Sequence, residues 1–144
     1  MRSLLLLLLA LLTSCATTAK MPNAVYALGR TPVDVAAYNK IMSDATKSDP
    51  CTADHCGKVA RLVSGYVPEY PPQLLSSGIR GHAVIVFTIT EQGSVTNMSV
   101  ESATRTEFAD SAINALKDWK FIPATLNGKA ISTRARQLIP FDPR

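Results

Sequence analysis

The side chains with the most reactive chemistry in this chain are three cysteines and two histidines. Cys51 and Cys56 lie close together, with Asp54 and His55 between them. In an exported chain such a pair reads as a disulfide, because an oxidising compartment favours pairing. Closing so short a loop would stabilise the fold by about 2 kcal/mol in the chain-entropy view. Free thiols are a second reading. A metal site is a third, since Cys51, Asp54, His55 and Cys56 all carry donors. The only other histidine, His82, sits in a distant apolar run, however, and no second cysteine pair completes a four-ligand structural site. The expectation is therefore no metal and no cofactor. Catalytic signatures are missing too: there is no Gly-x-Ser-x-Gly, no His-Glu-x-x-His and no phosphate-binding glycine loop. Glu101, Glu107 and Asp110 gather around a helix start, where the helix dipole favours them. No catalytic residue is assigned, and the chain does not read as an enzyme.

Cys15 stands apart, at the end of a leucine block. Met1-Arg2-Ser3 makes a positive start, and Leu4 to Leu12 is almost pure leucine. That run is about half the roughly 20 residues a membrane-spanning helix needs. It fits the apolar region of an export signal, about 7–15 residues long. Leu12-Thr13-Ser14-Cys15 resembles the bacterial lipobox. The resemblance implies cleavage before Cys15 and acylation of its thiol and new amino group, a palmitate-type membrane anchor. Ala16, rather than aspartate, follows the cysteine. By analogy with lipoprotein sorting this favours the outer membrane, facing the periplasm. An ordinary signal peptide with an incidental cysteine is the alternative.

Charge excludes one class of partner. Fifteen basic side chains against 11 acidic give +4, dispersed along the chain. That is no footprint for nucleic acid. Three regions follow: residues 1–14 as signal, 15–57 as a lipidated tether with a helix and the cysteine loop, and 58–144 as a folded domain. In the tether, Thr31-Pro32 looks like a helix cap followed by proline. Val35, Tyr38, Ile41, Met42 and Ala45 then recur at helical spacing, predicting a helix over 32–46.

The domain reads strand, strand, helix, strand. Ala83, Ile85, Phe87 and Ile89 share one face of a predicted strand, and Gly93 permits a tight hairpin. The apolar phase changes between Val95 and Met98, which suggests a bulge in the return strand. Thr104-Arg105-Thr106-Glu107 fits a capping box. The helix after it carries Phe108, Ala112, Ala115, Leu116 and Trp119 on one side, with Pro123 as its stop. Asn127-Gly128 turns the chain into a final strand ending at Phe141. An α+β fold, a three-stranded antiparallel sheet with helices on one face, buries all these stripes together.

Tyr70-Pro71, Gly78-Ile79-Arg80-Gly81, the run ending Phe87-Thr88-Ile89, the Gly93 hairpin, Trp119-Lys120-Phe121-Ile122-Pro123-Ala124 and Asn127-Gly128-Lys129 occur in an order that resembles the TonB C-terminal domain. The resemblance covers about half the chain. It implies binding to a peptide of an outer-membrane receptor, the TonB box, by addition to a sheet edge, in TonB-dependent transport. The implied contact positions are Val67, Pro68, Tyr70 and Pro71 in the first stretch. In the last strand they are Ser132, Arg134, Arg136 and Leu138. Val67 stands where the family has a polar residue. The family's energy transducers also carry an uncleaved membrane helix and a long proline-rich spacer. The N-terminal region here reads differently, so the resemblance concerns the receptor-binding domain and not the motor-coupled part. A self-associating envelope module, forming a homodimer, and a Tol-like import partner are the alternative functions.

Overall fold

The computed structural model describes residues 18–20, 31–46 and 57–143. Cys15, Cys51 and Cys56, and with them the expected signal, acylation site and disulfide, lie outside the described residues. Among the described residues no helix is long and apolar enough to cross a membrane.

The main sheet forms where the sequence alternates. Strand β3 (Gly81–Ile89) lies between β4 (Val95–Ala103) and β8 (Thr133–Phe141), antiparallel to both. The predicted three-stranded antiparallel sheet is thus present. Ala83, Ile85, Phe87 and Ile89 are buried on its core face, as the alternation requires. The expected bulge is there, between the Val86–Ser99 and Thr88–Thr96 pairs. Asn97 takes it up with φ 48°, a conformation asparagine tolerates better than most residues. The hairpin before it depends on Gly93, whose φ is 78°. Its carbonyl also accepts from Phe121 N at 2.8 Å, and an added Cβ would stand 1.8 Å from Phe121 O. A side chain at this position is excluded twice over.

Helices α1 (Val35–Thr46), α2 (Pro72–Ser76) and α3 (Thr106–Leu116) complete the layer. Phe108, Ala112 and Leu116 of α3 are fully buried in the cluster that holds the core face of β3. Pro72 opens α2 at the position where a missing N–H costs nothing, and Gly78 follows it at φ 63°.

Several local expectations need correction. Helix α1 begins at Val35 rather than residue 32, and its first turn is capped by Asp34, whose Oδ1 accepts from Ala37 N at 3.0 Å. Residues 31–33 are diverted into pairing: Val33 N donates to Gly65 O and Val67 N to Thr31 O. The capping box of α3 does not form, since Arg105 occupies the cap and no side chain bonds there. Thr104 is engaged instead with His82, accepting from its backbone N–H at 2.9 Å. Helix α3 stops at Leu116, well before Pro123. The residues between form β5 (Lys120–Ile122), paired with β2 (Arg61–Ser64). Tertiary pairing thus overrides a helical pattern. Asn127 and Gly128, at φ 50° and 76°, turn β6 (Ala124–Leu126) into β7 (Lys129–Ile131), as a two-residue hairpin with both centres at positive φ.

Trp119, expected on α3, lies just beyond it and is 0% exposed. Its indole N–H donates to Tyr66 O at 3.0 Å, and its ring meets Tyr38 edge-on at 5.4 Å. Gly65 makes room, because a Cβ there would sit 2.6 Å from the indole. Trp119→Ala should destabilise the domain by about 3–5 kcal/mol. Urea unfolding of the two proteins would measure this.

Candidate functional site

An edge strand keeps half of its backbone donors and acceptors free for another chain. The sequence locates that edge at β8. The structure adds a strand to it: β1 (Thr18–Lys20) runs parallel to β8, pairing Thr18 with Arg136, Ala19 with Gln137 and Lys20 with Leu138. The sheet order is therefore β1-β8-β3-β4. The expectation of a bare terminal edge is corrected. Alternation and charge patterns carry no signal for a three-residue strand so far upstream.

Along β8 the two faces do different work. Ala135, Gln137, Ile139 and Phe141 face the core, and Arg134, Arg136 and Leu138 the other side. Ser132 is exposed in the step between β7 and β8. Arg136 reaches across β3 to Glu101 on β4, with Nε–Oε2 at 2.7 Å and Nη2–Oε1 at 2.9 Å. This is a bidentate clasp, the geometry that suits a guanidinium best. The hydrogen bond from Arg136, and secondarily the positive charges of Arg136 and Arg134, hold the Glu101 carboxyl below its ordinary value. Arg136 is therefore engaged within the sheet, while Arg134 is exposed.

Gln137 breaks the apolar face of β8, and that break is legible in the sequence. It is 1% exposed. Tyr38 of α1 donates its hydroxyl to Gln137 Oε1 at 2.9 Å, and Gln137 Nε2 donates to Leu138 O at 3.0 Å. Burial pushes the Tyr38 hydroxyl well above the usual phenol range, so it remains a donor. The next residue, Asn39, holds the backbone of β2 with its amide, accepting from Leu62 N and donating to Leu62 O, each at 2.9 Å. Helix α1 thus fastens β8 and β2 at once. Sequence periodicity marks Tyr38 as apolar-face but does not reveal this polar link.

The other candidate stretch is largely internal. Pro68 is fully buried and Tyr70 is 5% exposed. The Tyr70 hydroxyl donates to Ile79 O at 2.5 Å and lies 3.5 Å from Phe141 O. Its ring meets Phe108 and Phe141 edge-on, both at 5.6 Å. Val67 and Pro71 are half-buried, and Pro71 O accepts the first amides of α2. The structure brings Tyr70 to the C-terminal end of β8 and uses its side chain as an anchor. His82 is exposed at the start of β3, with Nδ1 3.1 Å from Thr104 Oγ1.

Residues 66–143 match the family described as Gram-negative bacterial TonB protein C-terminal. The chain belongs to this family. Protein TonB of Xanthomonas campestris pv. campestris is 35% identical over 75 residues, which cover 51% of this chain and 34% of that protein. Protein TonB of Vibrio cholerae is 31% identical over 100 residues, covering 69% and 40% respectively. The chain thus spans about a third of the Xanthomonas protein's length. The solution structure of the Pseudomonas aeruginosa TonB C-terminal domain superposes with a TM-score of 0.52 at 25% identity, over 58% of this chain and 85% of that one. The α+β TonB C-terminal fold is thereby established for the matched region. The family match begins at residue 66, whereas Val33 and Tyr38 of the preceding segment belong to the same buried cluster.

Two outcomes follow from this geometry. Tyr38→Phe removes a hydrogen bond to a buried amide and should cost about 1–3 kcal/mol, read by chemical denaturation. For Glu101, a lowered folded-state pKa means that its contribution is present above the ordinary carboxylate range and is lost as pH falls through the folded value. NMR titration should give Glu101 a midpoint below its ordinary 4.5, returning toward it in Arg136→Ala.

Proposed function

We propose that this chain is a periplasm-facing lipoprotein of the outer membrane whose TonB-type domain takes up an extended receptor segment at the outer edge of β8, in TonB-dependent transport. The carrying observation is that this edge accepts a parallel strand, from Thr18 to Lys20, along Arg136 to Leu138. Backbone bonds of that kind would supply the affinity, and side chains at alternate positions the selectivity. Exposed Arg134 offers charge to an acidic receptor segment, an attraction that salt would screen. Tyr70 and Pro68 contribute by fixing the frame at the end of β8, since their side chains are buried. Anchoring would fall to Cys15, and Cys51 and Cys56 would close a loop between helix and domain. The role proposed for the domain is recognition.

Purified protein should be titrated with overlapping peptides that cover the periplasm-exposed N-terminal segments of the organism's outer-membrane receptors. A binding peptide should shift the β8 amide resonances and compete with salt. Binding that leaves β8 untouched would remove strand addition from consideration. Self-association through the same edge would show instead as a concentration-dependent mass in sedimentation. The anchor is tested separately: Cys15→Ala should accumulate as unprocessed precursor without labelled palmitate, and normal maturation of that variant would overturn the lipoprotein reading.

A further inference from the structure

We infer that β1 is a resident cap on the β8 edge, so that an incoming strand must displace the chain's own residues 18–20. This rests on the reading of β8 as the docking edge. Three observations carry it. First, β1 pairs with β8 in register over Arg136, Gln137 and Leu138, on the side of β8 opposite β3. A receptor strand added there would need the same backbone groups. Second, the two ladders differ greatly in strength. The β3–β8 ladder joins nine residue pairs antiparallel, and the β1–β8 ladder three pairs in parallel. Parallel pairing is slightly weaker per residue, and three pairs are few. The cap is therefore the weakest ladder in the main sheet and the first to yield to a longer strand. Third, β1 precedes α1, which is itself fixed to β8 through Tyr38 and Gln137 and to β2 through Asn39. That attachment keeps β1 at high effective concentration beside the edge, so three pairs suffice to occupy it.

The cap has two consequences. It covers a strand edge that would otherwise invite edge-to-edge pairing between copies of the chain. It also sets a selection rule. A short segment with affinity no greater than that of β1 is excluded, and one that pairs along more of β8 enters. Apparent affinity then equals the intrinsic affinity multiplied by the fraction of chains with the edge open.

The test uses the full chain and amide hydrogen exchange. Alternate residues of a strand direct their backbone groups to opposite sides, so either Ala19→Pro or the double variant Thr18→Pro/Lys20→Pro removes the donors that face β8. At least one of the two should speed exchange among Arg136, Gln137 and Leu138 by roughly tenfold, with α3 and β3 amides unchanged. Unaltered exchange at these residues in both variants would overturn the cap. The same variants are titrated with the receptor peptides. A peptide that binds the wild type should bind the uncapped variant roughly threefold to tenfold tighter. Equal affinity despite faster β8 exchange would overturn competition at this edge. Faster exchange with no peptide bound to any version would sustain the cap and overturn the receptor reading instead.

Discussion

Backbone hydrogen-bonding groups must find partners, and a strand at the margin of a sheet has them on one side only. That constraint falls on β8, and much of the molecule is arranged around it. One side of the strand is paired with β3 along its whole length. The other side receives β1. Its core face holds Gln137, which takes the hydroxyl of Tyr38, and its outer face holds Arg136, which clasps Glu101 two strands away. Removing β8 from this position would release the first strand, the Tyr38 hydroxyl bond and the clasp together.

Beneath the sheet the core is aromatic. Phe108 and Phe141 stack at 4.4 Å, and Tyr70 meets both edge-on. Trp119 joins the far end through Tyr38 and Phe121. Rings of this kind add specific geometry to the burial of large apolar area. Three of them have a polar handle: Trp119 donates to Tyr66 O, Tyr70 to Ile79 O, and Tyr38 to the side-chain amide of Gln137. The Tyr-Pro stretch is thus a strut that closes the core against the end of β8. Its buried side chains and β8 make one assembly, since the Tyr70 hydroxyl touches the last residue of the strand.

The family match spans residues 66–143, yet the packing unit is larger. Val33, Tyr38 and Leu62 are in the same buried cluster as Phe87 and Trp119. Residues 31–33 bond to 65–67, and Asn39 completes the backbone of β2. The segment read from the sequence as tether therefore supplies core side chains and closes one strand edge. In physical terms, the domain and its approach are coupled: changes in the approach reach β8 through Tyr38 and through β1.

Local patterns fixed much of this protein from its sequence. Period-two alternation in β3 and β8, the positive-φ positions at Gly93, Asn127 and Gly128, and the apolar spacing of α3 all report on neighbours close in the chain, and each has its counterpart in the structure. The α+β class and the resemblance followed from these. What the sequence could not decide was competition between local preference and distant partners. Lys120–Ile122 leaves its helical pattern because β2 offers a ladder. Thr104 leaves the helix cap because His82 lies opposite. Gln137 is a polar break in an apolar face, and its partner lies 99 residues away on another element. The pairing of Thr18–Lys20 with β8 is the extreme case: three residues of ordinary composition have no strand signal of their own, and only the unfilled backbone groups of β8, brought beside them by the fold, make them a strand.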